Sequence, residues 1–457
     1  MSSLSCKFAR LLILLAMCMS CTSPHVRSDE QPPAPILTAH GALPPARADA
    51  TVDARLAPRY DNEEVRAMVE AFRQQAGGPL VAGNRVTLLV DGPQTLGAMR
   101  RAIESAQHNI HLETYIFADD EVGRDIRDLL IRRRQDGLEV RVIYDAIGSV
   151  DTPADFFRTM TEAGVEVHEF RPLNPVRTPL PWKHNNRDHR KLIVVDGRTA
   201  FTGGINISST YASSSAEKPG PEAGREEAWR DTHVQIDGPV AGQFQSLFLE
   251  AWASAGGKID AQSPQYFPDV PAMGPELVAA VAGSSDKSKE AAIYGTYYAV
   301  VAQASRRLWL TQAYFAPNGE LRRGLMAAAR RGVDVRIIVP GFTDSALAFY
   351  ASRRSYQELL EGGVRIFEQR DALLHAKTLV ADTALSSVGS ANFDMRSFVH
   401  NNEVNAVVVG SDFARRMETV FANDQENAHE IDLQSWRKRS AADKFKEFAS
   451  GLFSYWL

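Results

Sequence analysis

The chain alternates short apolar runs with longer segments of helical period, most of which end at a glycine. The apolar run Ile110–Phe117 is followed by a helical segment that ends at Gly137, and a second apolar run, Leu138–Tyr144, comes next. Short apolar runs bounded by turn signals predict strands buried on both faces, and helices between them predict right-handed crossovers. The pattern therefore predicts an α/β fold whose sheets are mixed but largely parallel and flanked by helices.

An internal repeat extends through the periodic part of the chain. Segments of the first half have counterparts in the second half, in the same order, so we expect two similar lobes related by a pseudo-twofold axis. The recurring pairs are Ile110–Phe117 with Leu308–Phe315, Leu130–Tyr144 with Met326–Val339, Met160–His168 with Leu359–Phe367, His189–Asp196 with His375–Asp382, and Gly203–Asn206 with Gly389–Asn392.

The positions of the repeats set the expected domain boundaries. We assign residues 61–260 to the first lobe and residues 261–432 to the second lobe. The linker is expected between Gly256 and Asp286, where Gly, Pro and Ser interrupt the periodic pattern. A length of 457 residues also favours more than one hydrophobic core.

Residues 433–457 are predicted to form an amphipathic C-terminal helix. Apolar side chains recur there at helical spacing and face charged ones. Such a face can enter a membrane or pack on the body of the protein, and we favour packing. The apolar residues are Phe445, Phe448, Leu452, Phe453 and Trp456.

The first 21 residues contain all three cysteines and have the pattern of a bacterial export signal. Two basic residues precede the apolar run Leu11–Met17, which is too short to span a bilayer. We expect a lipoprotein-type signal peptide at residues 1–20 and lipidation of Cys21, which follows the small Ser20. Cys18 is the alternative acceptor, and an uncleaved anchor or plain secretion is the alternative to lipidation.

Residues 21–60 are rich in proline and alanine and have no sustained apolar period, so they are predicted to form an extended tether. A lipid-anchored membrane protein on the periplasmic side of the cell envelope follows from this arrangement. Thr22 next to the lipid site is not acidic, which favours the outer membrane.

The formal net charge of −5 provides no general attraction to polyanions. An anionic substrate must therefore be held by local cations. The acidic balance and the lack of a basic stripe in the sequence disfavour nucleic acid as a partner.

The candidate site residues occur at identical spacing in both halves. A histidine and a lysine two positions apart on a strand project from the same face, so both can point into one pocket. An asparagine past a glycine turn can reach the same pocket. These residues are His189, Lys191 and Asn206 in the first half and His375, Lys377 and Asn392 in the second half. Asp196 and Asp382 follow each lysine on the opposite side of the strand, and we interpret both as structural.

These residue types suit displacement at a phosphodiester. The reaction needs a nucleophile, a proton donor for the leaving oxygen, and donors or cations for the non-bridging oxygens. Two histidines supply the first two functions near neutral pH, and the lysines and asparagines supply the third. We expect a phosphohistidine intermediate and no metal or other cofactor.

The repeated pattern of His-x-Lys, four residues, Asp, six residues, Gly, two residues and Asn resembles the signature of the phospholipase D superfamily. The pattern is complete in both halves, and the resemblance extends from about Arg85 to about Trp436. In its details, among them Phe201–Asn206 and Val388–Ser397, the chain is most similar to bacterial cardiolipin synthases.

The resemblance implies roles for four residues. It implies that His189 attacks phosphorus and that His375 is the general acid and base, although the pseudo-symmetry leaves the reverse order open. It also implies that Asp231 and Glu403, downstream of the two motifs, orient the imidazole rings.

The implied function is phosphatidyl transfer of the cardiolipin synthase type. Phosphatidylglycerol would release glycerol, and the hydroxyl of a second lipid at the membrane surface would accept the phosphatidyl group. A phospholipase D or nuclease would use the same residues with water as acceptor, and a non-catalytic lipid-binding lipoprotein is the alternative outside enzymes. Transfer requires apolar walls that exclude water. The expected wall residues are Leu180, Trp182, Tyr314, Phe315 and Phe342, whereas Trp229 is interpreted as structural.

Overall fold

The computed structural model of the chain describes Pro24, Arg27 and residues 33–38, 41–56, 62–174, 185–215, 228–259, 265–286, 291–343 and 345–455. The expected signal peptide at residues 1–20 and the expected lipidation site Cys21 lie outside these residues, as do Leu180, Trp182 and Trp456. No helix within the described ranges is long and apolar enough to cross a membrane.

The strands of the two halves follow one another in the same order. The first half contains β1 (Ile36–Thr38), β2 (Gly41–Ala42), β3 (Leu80–Val90), β4 (Asn109–Thr114), β5 (Glu139–Asp145), β6 (Glu166–Phe170), β7 (Leu192–Val195), β8 (Thr199–Gly203), β9 (Trp229–Arg230) and β10 (Thr232–Asp237). The second half contains β11 (Glu276–Gly283), β12 (Arg307–Gln312), β13 (Phe315–Ala316), β14 (Asp334–Pro340), β15 (Arg365–Gln369), β16 (Leu373–Leu374), β17 (Lys377–Ala381), β18 (Leu385–Gly389), β19 (Phe393–Asp394), β20 (Glu403–Val409) and β21 (Ala428–Glu430).

Helices connect these strands and cover both faces of the sheet. They are α1 (Pro45–Asp53), α2 (Asn62–Gln75), α3 (Asp91–Ser105), α4 (Glu121–Gln135), α5 (Ala154–Glu162), α6 (Ala241–Ser254), α7 (Ala292–Gln303), α8 (Gly319–Arg330), α9 (Ala346–Arg353), α10 (Tyr356–Glu361), α11 (Met395–Val399), α12 (Ser411–Glu426), α13 (Leu433–Arg437) and α14 (Ala441–Gly451).

Each half contains a sheet with the same order of strands. Neighbouring strands lie in the order β6-β5-β4-β7-β8-β10-β3 in the first half. The second half repeats this order as β15-β14-β12-β17-β18-β20-β11. Strands β3 and β11 pair antiparallel and join the two into one continuous sheet. The predicted α/β class with two similar lobes is confirmed.

Parallel pairing within the main sheet of each lobe is limited to three strands. Strands β4, β5 and β6, and their counterparts β12, β14 and β15, pair in parallel because helices cross over between them. The motif strands instead form hairpins, β7 with β8 and β17 with β18, and these pair antiparallel. The turns begin at Asp196 and Asp382, whose φ angles are 52° and 51°.

The N-terminal segment packs on the second half of the protein. Strand β1 pairs in parallel with β3, and Ile36, Val52 and Phe72 are buried in the same core as Tyr294 and Leu310. The expectation of an extended tether is therefore wrong for residues 36–38 and 41–56. A few apolar side chains are sufficient to anchor this proline-rich segment, because each one enters an existing core.

Two further boundary expectations differ from the structure. Helix α2, expected in the first lobe, packs on α7 and belongs to the core of the second half. Strand β11 lies within the expected linker between Gly256 and Asp286 and pairs with both β3 and β20. A central core that includes Phe244, Trp252, Phe413 and Phe421 contains side chains of both halves. The lobes are therefore packed together rather than linked by a free segment.

The motif aspartates fix the start of a neighbouring strand in each half. The carboxylate of Asp196 accepts hydrogen bonds from the backbone N–H groups of residues 107–109 at 2.7–2.9 Å. Asp382 accepts the equivalent bonds from residues 305–307 at 2.8–2.9 Å. Both aspartates lie at the far end of the motif strands from the histidines, where they shape the fold.

Replacing Asp382 tests this structural assignment. We expect Asp382→Ala to lower the free energy of unfolding by about 2–4 kcal/mol, because three backbone N–H groups lose their acceptor and alanine is strained at a positive φ. The control Asp382→Asn keeps one acceptor oxygen and tolerates this φ, so its loss should be smaller. Urea unfolding measures both. An alanine variant within about 0.5 kcal/mol of the unchanged chain would contradict the assignment.

Candidate active site

The two motif histidines line one cavity, although 186 positions separate them in the chain. The cavity has a volume of about 420 Å³ and is also lined by Asn206 and Asn392. Each histidine is placed by the backbone of the other half. The N–H of His189 donates to the carbonyl of Asn402 at 3.0 Å, and that of His375 donates to the carbonyl of Arg230 at 2.8 Å.

Two buried arginine–aspartate pairs fix the segments that carry these contacts. The guanidinium of Arg187, two residues before His189, donates to both carboxylate oxygens of Asp145 at 2.9–3.0 Å. Arg230 donates to Asp424 at 2.6 and 2.8 Å. All four side chains are buried, so removing one partner would leave an uncompensated charge.

The expected orienting acids bind the histidines crosswise between the halves. The Nδ1 atom of His189 lies 3.0 and 3.1 Å from the two carboxyl oxygens of Glu403, which belongs to the second half. The Nδ1 atom of His375 lies 2.8 Å from Asp231 Oδ2, which belongs to the first half. Both acids are fully buried. Each hydrogen bond leaves the Nε2 atom of its imidazole for chemistry in the cavity.

A glycine and a serine occupy the equivalent position next to these acids. A Cβ atom on Gly204 would lie 2.1 Å from Asp231 Oδ1, so only glycine leaves room for that carboxylate. In the second half, Ser390 Oγ donates to Glu403 Oε2 at 2.5 Å. The two acids are therefore held in different ways.

The lysines lie behind the histidines and are buried. Lys191 Nζ donates to the carbonyl of His189 at 2.7 Å, and Lys377 Nζ donates to the carbonyl of His375. Burial lowers the pKa of Lys191 to about 7. In their charged forms, the two amines place positive charge behind the histidines, close to the cavity.

The asparagines lie on the cavity wall and differ in their contacts. Asn206 Oδ1 accepts from the backbone N–H of Ile116 at 3.1 Å, and its Nδ2 donates to Tyr211 Oη at 2.7 Å. Asn392 is held by its backbone N–H, which donates to Ser397 Oγ at 3.1 Å. Asn392 therefore keeps its side-chain amide available to a phosphate oxygen.

Burial dominates the electrostatics of the histidines. It lowers the pKa of His189 well below the usual value, and the charges of Lys191 and Lys377 lower that pKa further. Burial and Lys377 also lower the pKa of His375, but Asp231 opposes this shift. Burial would raise the pKa of Asp231, but the hydrogen bond and charge of His375 hold it below the usual value. Asp231 is therefore an ionised partner.

Glu403 differs from Asp231 in its charge. Burial raises the pKa of Glu403 to about 7, although Lys191 and the hydrogen bond from Ser390 act in the opposite direction. Near neutral pH, His189 therefore faces a partly protonated carboxyl group, whereas His375 faces a carboxylate.

Aromatic side chains form part of the cavity wall, and the sequence analysis missed most of them. Tyr115 contacts the His189 ring edge-on, with ring centroids 5.0 Å apart. Tyr211 and Trp229 lie 5.6 and 5.5 Å from the His375 ring. The interpretation of Trp229 as purely structural is wrong, because it lines the cavity. The position of Tyr115 directly after the buried strand β4 was the available signal.

The expected wall residues have mixed outcomes. Tyr314 lines the cavity. Phe315 is fully buried and stacks on Phe393 in the core, with ring centroids 5.5 Å apart, so its expected role is wrong. The internal repeat explains this position, since Phe315 is the counterpart of the buried Phe117. Phe342 is half-buried and is not among the lining residues of the cavity.

A cationic side chain distinguishes the His189 side of the cavity. Arg396 lines the cavity and donates to the carbonyl and the side-chain oxygen of Asn185 at 3.0 and 2.8 Å.

The described ranges contain no group of three or more His, Cys, Asp or Glu that could hold a metal ion. The arrangement offers a nucleophile, a proton donor and buried positive charge around a space for one phosphodiester.

Comparisons with known proteins agree with the repeat and the motif. A family model described as "Cardiolipin synthase, PLD-like domain" matches residues 99–218 and 297–425, one segment in each half. Cardiolipin synthase 1 of Bacillus cereus is 34% identical over 399 residues, which is 86% of this chain and 76% of that protein. A cardiolipin synthase of Geobacillus sp. (strain WCH70) is 35% identical over 404 residues, with the same coverage of 86% and 76%.

A solved structure supports the fold independently of the sequence. The crystal structure of phosphatidylserine synthase from Haemophilus influenzae matches with a TM-score of 0.62 at 14% identity, and covers 85% of this chain and 100% of that chain. The duplicated motif, the cavity that both histidines line and the relatives that match most of the chain agree. The chain belongs to the phospholipase D superfamily and, within it, to the cardiolipin synthase family.

Proposed function

We propose that this chain is a phosphatidyltransferase of the cardiolipin synthase type. It transfers the phosphatidyl group of one lipid, phosphatidylglycerol, to the hydroxyl of a second lipid and releases glycerol. The observation that carries this proposal is the pair of histidines on one cavity, each held by a buried acid of the opposite half. Family membership supplies the substrate class.

The reaction proceeds in two displacements at phosphorus. In the first, Nε2 of His189 forms a bond to phosphorus while the bond to the glycerol oxygen breaks and His375 donates its proton to that oxygen. In the second, His375 takes the proton of the incoming lipid hydroxyl, whose oxygen bonds to phosphorus as the bond to His189 breaks. Both histidines return to their starting states.

The electrostatics favour this assignment of roles. A nucleophile must be neutral at Nε2, and burial together with the lysine charges keeps the pKa of His189 well below its usual value. A general acid must hold a proton, and the ionised Asp231 opposes the lowering of the His375 pKa by burial and Lys377, so this pKa is lowered less than that of His189. The reverse assignment would place the acid beside the partly protonated Glu403.

The remaining polar residues stabilise the phosphate. Lys191 and Lys377 lie under the histidines, where a bound phosphodiester anion would favour their charged forms. The amides of Asn206 and Asn392 reach the same space from the wall. Donors already fixed around the non-bridging oxygens lower the cost of the charge that develops there.

The size of the cavity limits what enters it. A volume of about 420 Å³ is near the lower end of ligand pockets, and it leaves room for a phosphate with its polar headgroup. Two acyl chains need more space, so they extend through the mouth of the cavity. Aromatic walls at Tyr115, Tyr211 and Trp229 restrict water around the phosphohistidine, which favours a lipid hydroxyl over water as acceptor.

We also propose that the protein is lipid-anchored at Cys21 on the periplasmic side of the envelope and that it is located at the outer membrane. The basic start, the short apolar run and the non-acidic Thr22 support this proposal. Intact mass spectrometry of the mature N-terminus decides between Cys21, Cys18 and an uncleaved leader.

The pH dependence of turnover tests the role of His375. In Asp231→Asn, the charge that raises the pKa of His375 is lost, so its proton is lost at a lower pH. We expect the alkaline limb of the kcat/KM profile to move to lower pH. The matched variant Glu403→Gln should leave that limb in place. A shift of the alkaline limb in Glu403→Gln alone would reverse the assignment of acid and nucleophile.

The product formed from vesicles tests the proposed function. The purified protein is incubated with vesicles of phosphatidylglycerol, and lipids and free glycerol are measured in the presence and absence of EDTA. We expect cardiolipin and glycerol in equal amounts under both conditions. Phosphatidic acid as the main product would make the protein a hydrolase, and cleavage of DNA without lipid turnover would make it a nuclease. Inactivation by EDTA would contradict the metal-free mechanism.

A further inference from the structure

The C-terminal helix α14 buries polar and small side chains and exposes its large apolar ones. Phe445 and Phe448 are 69% and 56% exposed, and Leu452 directly after the helix is 52% exposed. Glu447 and Gly451, on the opposite face, are buried. A surface helix that packs on a globular body normally turns its apolar stripe inward. The expectation that these side chains pack on the body is therefore wrong for Phe445, Phe448, Leu452 and Phe453, which is 45% exposed.

Polar contacts hold α14 in this orientation. Glu447 accepts hydrogen bonds from the guanidinium of Arg439 at 2.8–3.0 Å. Lys446 Nζ donates to Tyr350 Oη on α9 at 3.2 Å. Gly451 lies so close to Arg354 that a Cβ atom there would be 2.1 Å from Arg354 Cδ. The outward direction of the aromatic stripe is therefore built into the docking of the helix.

Helix α9, against which α14 packs, also borders the candidate active site. Ser345 and Ala348, at its start, line the cavity, and Leu347 between them is 43% exposed. The equivalent segment of the first half follows β5, where Ile147 lines the cavity and Val150 is 60% exposed. Exposed apolar side chains thus lie next to cavity-lining residues on both lobes, and α14 packs on the helix that begins at one of these places.

The charge of the same segment selects the kind of partner. Residues 433–457 contain five Lys or Arg and two Asp or Glu in a chain whose net charge is −5. Arg437 pairs with Glu361 and Arg439 with Glu447, so the lysines carry the positive charge that this segment offers to a partner. Lys444 and Lys446, which alternate with Phe445, are exposed. Aromatic side chains beside lysines are the pattern of a helix that lies in the interface of an anionic membrane. A second copy of the chain would bring two basic segments together and is disfavoured.

We propose that Phe445, Phe448, Leu452 and Phe453 form a docking surface that inserts into the headgroup boundary of an anionic phospholipid bilayer. Docking turns the mouth of the cavity toward the lipid whose acyl chains cannot fit inside it. The choice of a bilayer as partner rests on the proposed function. The orientation of the helix and its charge are independent of that function.

Vesicle binding tests the docking surface. All variants carry Cys21→Ser together with Cys18→Ser, so that neither candidate acceptor holds the protein to membranes through a lipid; this parent is called the Cys21→Ser chain. We expect Phe445→Ser/Phe448→Ser to bind vesicles of equal parts phosphatidylglycerol and phosphatidylcholine at least about ten-fold more weakly than the Cys21→Ser chain, because two phenyl rings lose their apolar environment. The control Phe267→Ser, which removes an aromatic ring that is 43% exposed elsewhere on the surface, should bind normally.

Three outcomes would overturn the proposal. These are unchanged vesicle binding by the double variant, equal loss in Phe267→Ser, or a Cys21→Ser chain that is dimeric and becomes monomeric in the double variant. The thermal midpoint of each variant checks that it is folded. Turnover of phosphatidylglycerol by the unchanged chain in detergent micelles is measured separately. Failure of that turnover would contradict the proposed function without affecting the vesicle-binding result.

Discussion

The hydrogen bonds that Asp231 and Glu403 make across the halves are the contacts on which the site depends. Each acid is fully buried, and each binds the Nδ1 atom of the histidine in the opposite half. A buried carboxyl group needs such a partner, so the two lobes must meet with little freedom. The β3–β11 pair and the central core provide this rigidity. Neither half can orient its own histidine.

The same duplicated framework produces an asymmetric site. Gly204 leaves room for Asp231, whereas Ser390 donates a hydrogen bond to Glu403. Asp231 remains ionised, and burial raises the pKa of Glu403 to about 7. In the proposed two-step transfer, these differences favour His189 as the neutral nucleophile and His375 as the proton carrier.

The sequence predicted the two lobes and the motif residues because both depend on local spacing. His189 and His375 lie at matching positions in an ordered repeat, and the strand period determines where their side chains point. It did not predict that the acids cross between the halves, or that Trp229 lines the cavity, because those contacts depend on how the lobes pack. The prediction of an extended tether also failed for residues 36–38 and 41–56, because their few apolar side chains enter a core that is built by other parts of the chain.

Trapping the covalent intermediate tests most directly whether His189 is the nucleophile and His375 the general acid and base. Phosphatidylglycerol labelled at phosphorus is mixed with the protein, the reaction is stopped at alkaline pH, and labelled peptides are mapped by mass spectrometry. We expect one labelled histidine per chain, His189, with label retained in His375→Ala and lost in His189→Ala, while both variants lose turnover. Label on His375, label on both histidines, or normal turnover in either variant would contradict this assignment.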